Sequence, residues 1–369
     1  MTYQPDSLLF DESLHNVVLR PIQQFLHDYM HLMCVSGVVQ TTLFLFLQSM
    51  SNNGVGIYQM IKGYIQLWSF PSSRSLNIQN LFLPKREKSN KEAQTFKCSA
   101  SEALAVLPIL AHFIQEVILR TGVCIEECKA LLAVSDVLDI LHSTSHGCNI
   151  EILAMKIDQV FDQFEKCDWK NYLHSKFHWL LHMPSHISKF SFLISCWVHE
   201  RKHRIIKRYS EGIQNTLKFE RSVLVQVVSH DLALLLEEDY FGMHARLKKK
   251  CKSSKKVLDF FKTVWNEGID SCYMCTCAHL EPAGLANKRD VVLLKSKDRV
   301  GEVWLFAEIN KECVALISFW SFLEKKATHS IWNMQEQPEL VHTAEIMRPL
   351  TYRKLEDGKA IVLLPLECR

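Results

Sequence analysis

The sequence lacks a strong charge of either sign. Its 43 Lys and Arg residues against 40 Asp and Glu leave +3 over 369 residues, so net charge names no partner and only local clusters are informative. A secretory start is also missing, because TYQPDSLLFDESLH after Met1 has neither a basic segment nor a continuous apolar one. There is no compact disulfide pattern: 13 cysteines, an odd number, lie scattered between Cys34 and Cys368, which suits reduced thiols in a nuclear or cytoplasmic setting. Long apolar runs are interrupted, by Gln40, Thr41 and Thr42 within 38–47 and by Pro108, His112, Gln115 and Glu116 within 103–119. Both read as buried helices rather than bilayer spans, so the expectation is a protein neither secreted nor transmembrane. What is present, 48% hydrophobic and 22% charged residues, is ordinary globular composition with room for two or three domains.

Taken in order, residues 12–68 read as helices in pieces, broken near Asn52, Asn53, Gly54 and Gly56. Residues 71–90 read as a solvated connection. A helical block follows over 99–164, started by Ser99 or Ser101, interrupted at Thr121 and Gly122, and given an apolar face by Leu131, Leu132, Val134, Val137, Leu138 and Leu141. Residues 215–238 continue as helix. From Asp290 the period changes to short strands rich in Val, Ile, Trp and Phe joined by turns at 297–301 and 309–312, with two more strands in ELVHTAEIMRPL and AIVLLPL. That pattern predicts a small closed β-barrel, SH3-like or BAH-like, as a terminal binding module. Trp304, Phe306, Trp320 and Tyr352 are aromatics available to it, and most suit its core. The predicted fold class is therefore mainly α with a small C-terminal barrel.

Chemistry concentrates in 176–209. On a helical period over 197–213, Val198, Ile205, Ile206, Tyr209 and Ile213 share one side, and Glu200, His203, Arg204, Lys207 and Glu211 the other. Glu200 among cations stays ionised and suits a hard divalent ion; the plainer reading is an exposed ion pair with Arg204 worth about 0.3–0.5 kcal/mol. Asp28 and His31 sit three residues apart, a spacing that lets them bond each other or converge on a ligand. His174, His178, His182 and His186 recur every four residues, but Pro184 breaks the ladder and no H-E-x-x-H motif is present, so structural or substrate-facing histidines are expected there. RLKKKCKSSKK, 246–256, is the most basic run, fit to hold phosphates or to act as an import signal or a solvated linker. Cys272, Cys275, Cys277 and His279 offer four zinc ligands at an awkward spacing without a second paired half, and zinc is not the expected cofactor.

Two of these stretches carry a resemblance. Asp28-Tyr29-Met30-His31 followed by Gly37-Val38 resembles the D-x-M-H motif of CACTA-type (En/Spm-like) DDE transposases, and PSHISKF through CWVHERKHRIIKRY resembles that family's histidine-rich lead to a glutamate and a basic helix. The likeness covers about 15–240. It implies a ribonuclease-H-like core with a helical insertion before the last catalytic glutamate, matched here by Glu200, with Asp28 and His31 as motif residues and Glu211 and Glu220 as weaker matches for the glutamate. It implies Mg2+ as cofactor and DNA as partner. By it the chain divides into a core remnant over 1–70, an insertion over 71–170, core helices over 171–245, a basic linker over 246–284 and the barrel over 285–369.

The sequence departs from that family where two catalytic aspartates should precede the D-x-M-H motif. Only 27 residues stand before Asp28, and Asp6 and Asp11 lie too close together. In a two-metal site three carboxylates hold the ions that activate the nucleophile, so the expectation is a truncated, transposon-derived protein without strand transfer of its own. DNA contact is expected through Arg201, Lys202, Arg204, Lys207 and Arg208 and through Lys248, Lys249 and Lys250. Two other readings stay open: a helical scaffold whose barrel binds a protein or chromatin peptide, and a Mg-dependent nuclease completed by a partner chain.

Overall fold

The structure is a computed structural model; it describes residues 26–71, 78–142, 148–193, 196, 205–213, 216–236, 245–265, 268–280 and 284–364. Among the described residues helices run as far as Leu235, and antiparallel strands, with one further helix over Lys255–Val264, make up the rest.

The helical half is built around α2 (Val38–Asn52), preceded by the short α1 (Tyr29–Cys34) and followed by α3 (Ile57–Ile65). Ten residues of α2 are buried, and its polar interruptions are satisfied internally. Gln40 donates to the Cys98 carbonyl at 2.6 Å and accepts from the Ser36 N–H at 2.6 Å, and Thr42 donates to the Val38 carbonyl at 2.7 Å. A buried polar side chain with partners avoids the desolvation cost it would otherwise carry. On α2 packs α6 (Ile125–His142); α5 (Ala100–Phe113) lies against α1, α3 and α6, and α7 (Ile150–Lys166) against α6, all within one core. Helix α5 starts on a capping box, in which Ser99 and Glu102 each satisfy the other's backbone N–H. One hydrophobic core runs from Tyr29 to Ile187. Two stretches, Tyr29–Asn52 and Ala100–Thr121, are long and apolar enough to cross a bilayer, yet 78% and 61% of their apolar windows are buried inside the protein.

The connection expected over 71–90 is partly helical. Pro84, lacking an N–H that the first turn would leave unpaired, opens α4 (Pro84–Ala93). The helix lies on the surface with Asn90 alone buried; Asn90 accepts from the Lys97 N–H at 3.0 Å and contacts the Tyr58 hydroxyl at 3.4 Å.

The predicted mainly-α fold with a small closed barrel is not what forms. The second half holds a three-stranded antiparallel sheet, β1 (Ala245–Leu247), β4 (Cys277–Leu280) and β5 (Gly284–Asn287), in the order β1-β4-β5. Beside it is a nine-stranded antiparallel sheet of β2 (Cys251–Lys252), β3 (Cys272–Cys275), β6 (Val291–Leu294), β7 (Val300–Ile309), β8 (Glu312–Lys325), β9 (Ser330–His342), β10 (Ile346–Leu350), β11 (Tyr352–Lys354) and β12 (Lys359–Val362). Its path is β10-β6-β7-β8-β9-β12-β11, with β3 on β7 and β2 on β3. The β6–β7–β8 meander uses the expected turns, with Lys297 between β6 and β7 and Asn310 and Lys311 between β7 and β8 at positive φ. Gly301 is required where β7 meets β8, because a Cβ there would stand 2.6 Å from Ile317 Cγ2 and 2.7 Å from the Ser318 oxygen.

Among the described residues no ladder closes this sheet. The strands at the two ends of its main path, β10 and β11, follow each other in the chain across Thr351, and β10 turns its bonds to β6 while β11 turns its own to β12. The outer edge of β11 is taken by the helical half: Ser69 N–H donates to the Tyr352 carbonyl at 2.8 Å and Tyr352 N–H to the Ser69 carbonyl at 3.1 Å. An edge paired in this way is blunted without closure. Nor do the described residues before Ala245 contain a strand beyond that single bridge, so the sheet of a ribonuclease-H-like core is not found among them. The halves also meet where Leu363 enters the helical core and where His112 faces His329, ring centroids 4.5 Å apart.

Candidate functional site

Asp28 caps α1, its carboxylate accepting the N–H of Met30 at 3.3 Å and of His31 at 3.0 Å. Such a cap satisfies donors that the first turn leaves unpaired. The same carboxylate takes the Cys196 N–H at 2.9 Å, across 168 residues of sequence, and bonds the His31 ring through Nδ1. Burial pushes the Asp28 carboxyl up, but the bonds from the His31 ring and from the Cys196, His31 and Met30 N–H groups outweigh it, and the carboxyl lies below its ordinary range. Lys176 closes the other end of α1, donating to the His31 carbonyl at 3.0 Å and to the Val35 carbonyl. A cation on the last carbonyls of a helix is favoured by the aligned peptide dipoles. Its own pKa is lowered by burial, against the opposing pull of Asp28.

Gly37 follows for a steric reason: a Cβ on it would stand 2.1 Å from the Leu32 carbonyl oxygen. The chain turns from α1 into α2 with no room for a side chain, which ties the glycine of the Asp28–Val38 stretch to the packing that positions Asp28.

Ligand atoms of Asp28, His31 and Cys196 lie within 4.8 Å of one another, and this is the metal-capable group found among the described residues. Oxygen, nitrogen and sulfur donors together suit a zinc-class ion. They do not fit Mg2+, which takes oxygen ligands in octahedral array, because Asp28 supplies the one carboxylate of the group. An ion here would take the place of the hydrogen bond between His31 and Asp28.

Beside this junction a histidine stack has formed although the helix breaks. Helix α8 (Ser175–Leu180) ends before His182, and α9 (Met183–Phe190) restarts with Pro184 in its first turn. His178 and His182 nevertheless approach to 3.2 Å between their Nε2 atoms. His27 lies against Trp179, His186 and His182 with ring centroids at 5.0, 5.3 and 6.0 Å. Burial first, then the neighbouring rings, keep the pKa of His27 low, and burial, His182 and Lys189 do the same for His186. His174 stands apart, capping α8 and contacting the Thr41 hydroxyl at 3.2 Å. His27 and Cys196 were not singled out in the sequence. The signal available for His27 was its place beside Asp28; for Cys196 there was none, since its partner is remote.

Glu200, Arg201, Lys202 and Arg204 lie outside the described residues. Lys207 and Arg208 are exposed on a helical turn over 205–210, as is Glu211 just after it and Glu220 further on. Lys248 and Lys249 are exposed at the turn after β1, with Lys252, Lys255 and Lys256 exposed close by; Lys250 is paired with Glu308 at 2.6 Å. Cys272, Cys275, Cys277 and His279 fall on two strands of different sheets. Cys272 joins one apolar cluster and Cys275 another, the latter donating to the Cys277 carbonyl at 3.1 Å.

Comparison with protein-family models, curated proteins and solved structures returns no match.

Proposed function

We propose that this chain is a transposon-derived DNA-binding protein of CACTA-like DDE ancestry that does not carry out strand transfer by itself. The observation that carries the reading is the bond from Cys196 to Asp28. The two stretches on which the resemblance rests are separated by a long helical block, and in the fold they touch. In this reading Asp28, His31 and Cys196 hold a zinc-class ion that pins the lead to Glu200 against α1, and the protein works in the nucleus.

DNA is held by phosphate contacts from Lys207 and Arg208 and from the lysines around the β1–β2 turn, which position a duplex without reading its bases. Each phosphate neutralised contributes roughly 0.9 to the slope of log K against log salt. In a gel-shift titration of the full chain on a duplex, affinity falls steeply with added salt, and Lys248→Ala with Lys249→Ala lowers the slope by about two. Absence of binding at low salt, or binding indifferent to salt, refutes the proposal.

A further inference from the structure

Two histidine rings at the break between α8 and α9 are placed as a chelate. His178 stands in the last turn of α8 and His182 in the turn that follows. There the Leu181 N–H donates to the His178 carbonyl and the His182 N–H to the Trp179 carbonyl, both at 3.1 Å. Bonds spanning three residues tighten a helix end, and here the two imidazoles leave on one side of the break with their Nε2 atoms 3.2 Å apart. The backbone is anchored from beneath, because Phe177, Leu180 and Met183 are at most 1% exposed. His178 is exposed and His182 half-buried, so the pair is open to ions from solvent.

The distances are those of two ligands on one ion. Zinc binds imidazole nitrogen at about 2.0–2.1 Å, and nitrogens 3.2 Å apart would then subtend about 100–106° at the ion, close to the tetrahedral angle. Rings aimed at that one centre would have centroids about 5.0 Å apart by the same bond lengths, and these two stand at 4.9 Å. A straight N–H···N bond at the same nitrogen separation would place the centroids about 5.5 Å apart. The nitrogens are therefore turned toward a shared point rather than straight at each other. His27 and His186 brace His182, their rings roughly parallel to it with centroids at 6.0 and 6.3 Å. Burial lowers the pKa of both bracing rings, which keeps positive charge away from a dication.

We propose that His178 and His182 bind a divalent ion of the zinc class through their Nε2 atoms. The ion bridges the end of α8 to the start of α9 and leaves its other positions to water or a donor from outside. Imidazole suits zinc, copper and nickel, whereas Mg2+ and Ca2+ take oxygen. Each Nε2 gives its lone pair, so the ring that carries the proton of the present bond releases it or moves it to Nδ1. This pair shares no residue with Asp28, His31 and Cys196, and it does not depend on nucleic-acid binding.

Calorimetric titration of Zn2+ into the untagged full chain, with circular dichroism to check folding, tests it. His178→Ala and His182→Ala should each weaken one zinc site by at least about tenfold, since losing even an outer partner of a ligand costs about 10–100-fold. Asp28→Asn separates this site from the other donor group: it should keep the histidine-dependent site, and His178→Ala added to it should remove that site. Zinc bound at wild-type affinity by both folded histidine variants overturns the proposal. So does a wild type that takes up no zinc, or one whose only zinc site is lost in folded Asp28→Asn.

Discussion

His112 sits at the seam between the helical and β halves, and acid should act on it there. It is 2% exposed, its Nδ1 lies 2.6 Å from the Tyr64 hydroxyl, and its Nε2 is buried without a hydrogen-bond partner. Burial first, then the positive fields of His329, Arg353 and Lys326, push its pKa down from 6.5 to about 3. The unfolded chain takes up this proton near pH 6.5, whereas the folded protein refuses it until near pH 3. Stability is therefore whole above the unfolded value and declines as pH falls below it. At pH 5 the gap of about 1.5 pH units costs about 2 kcal/mol, at 1.36 kcal/mol per unit. Urea unfolding at about pH 7.5 and about pH 5, compared between wild type and His112→Phe, isolates this residue. The variant keeps a ring in the site and loses the titration, so other groups cancel in the difference. Wild type should lose about 2 kcal/mol more than the variant over that interval. Equal losses would show that His112 is protonated in the fold without penalty, and the account of the seam would be wrong.

Two further outcomes follow from the junction at α1. Gly37→Ala would drive a Cβ to 2.1 Å from the Leu32 oxygen, so α1 must shift; a stability loss of about 1–3 kcal/mol, the cost of overpacking, should appear in thermal melts, and a neutral variant would remove the steric reading. Asp28→Asn replaces a carboxylate that accepts from three backbone N–H groups. It should cost about 1–3 kcal/mol and, if the ion is bound as proposed, release zinc measured by elemental analysis of the purified protein. Undiminished zinc would place the metal elsewhere.

Much of the local structure was legible in the chain because it depends on neighbours in sequence. Of the two helix starts the residues offer, Ser99 and Ser101, Ser99 is the cap and forms a capping box with Glu102, Pro184 reads as a helix break and sits in a new first turn, and β6, β7 and β8 meet at the turns their residues favour. The spacing of Asp28 and His31 allowed a bond between them or a shared ligand; in the fold Asp28 caps the turn that carries His31 and bonds its ring. What only the tertiary structure decided is whatever joins distant segments. Strand pattern says nothing about whether edges pair with each other or with something else, and here Ser69 took the edge of β11 that a barrel would have needed. Cys196 reached Asp28 because α8 and α9 fold back on α1, a contact no periodicity encodes.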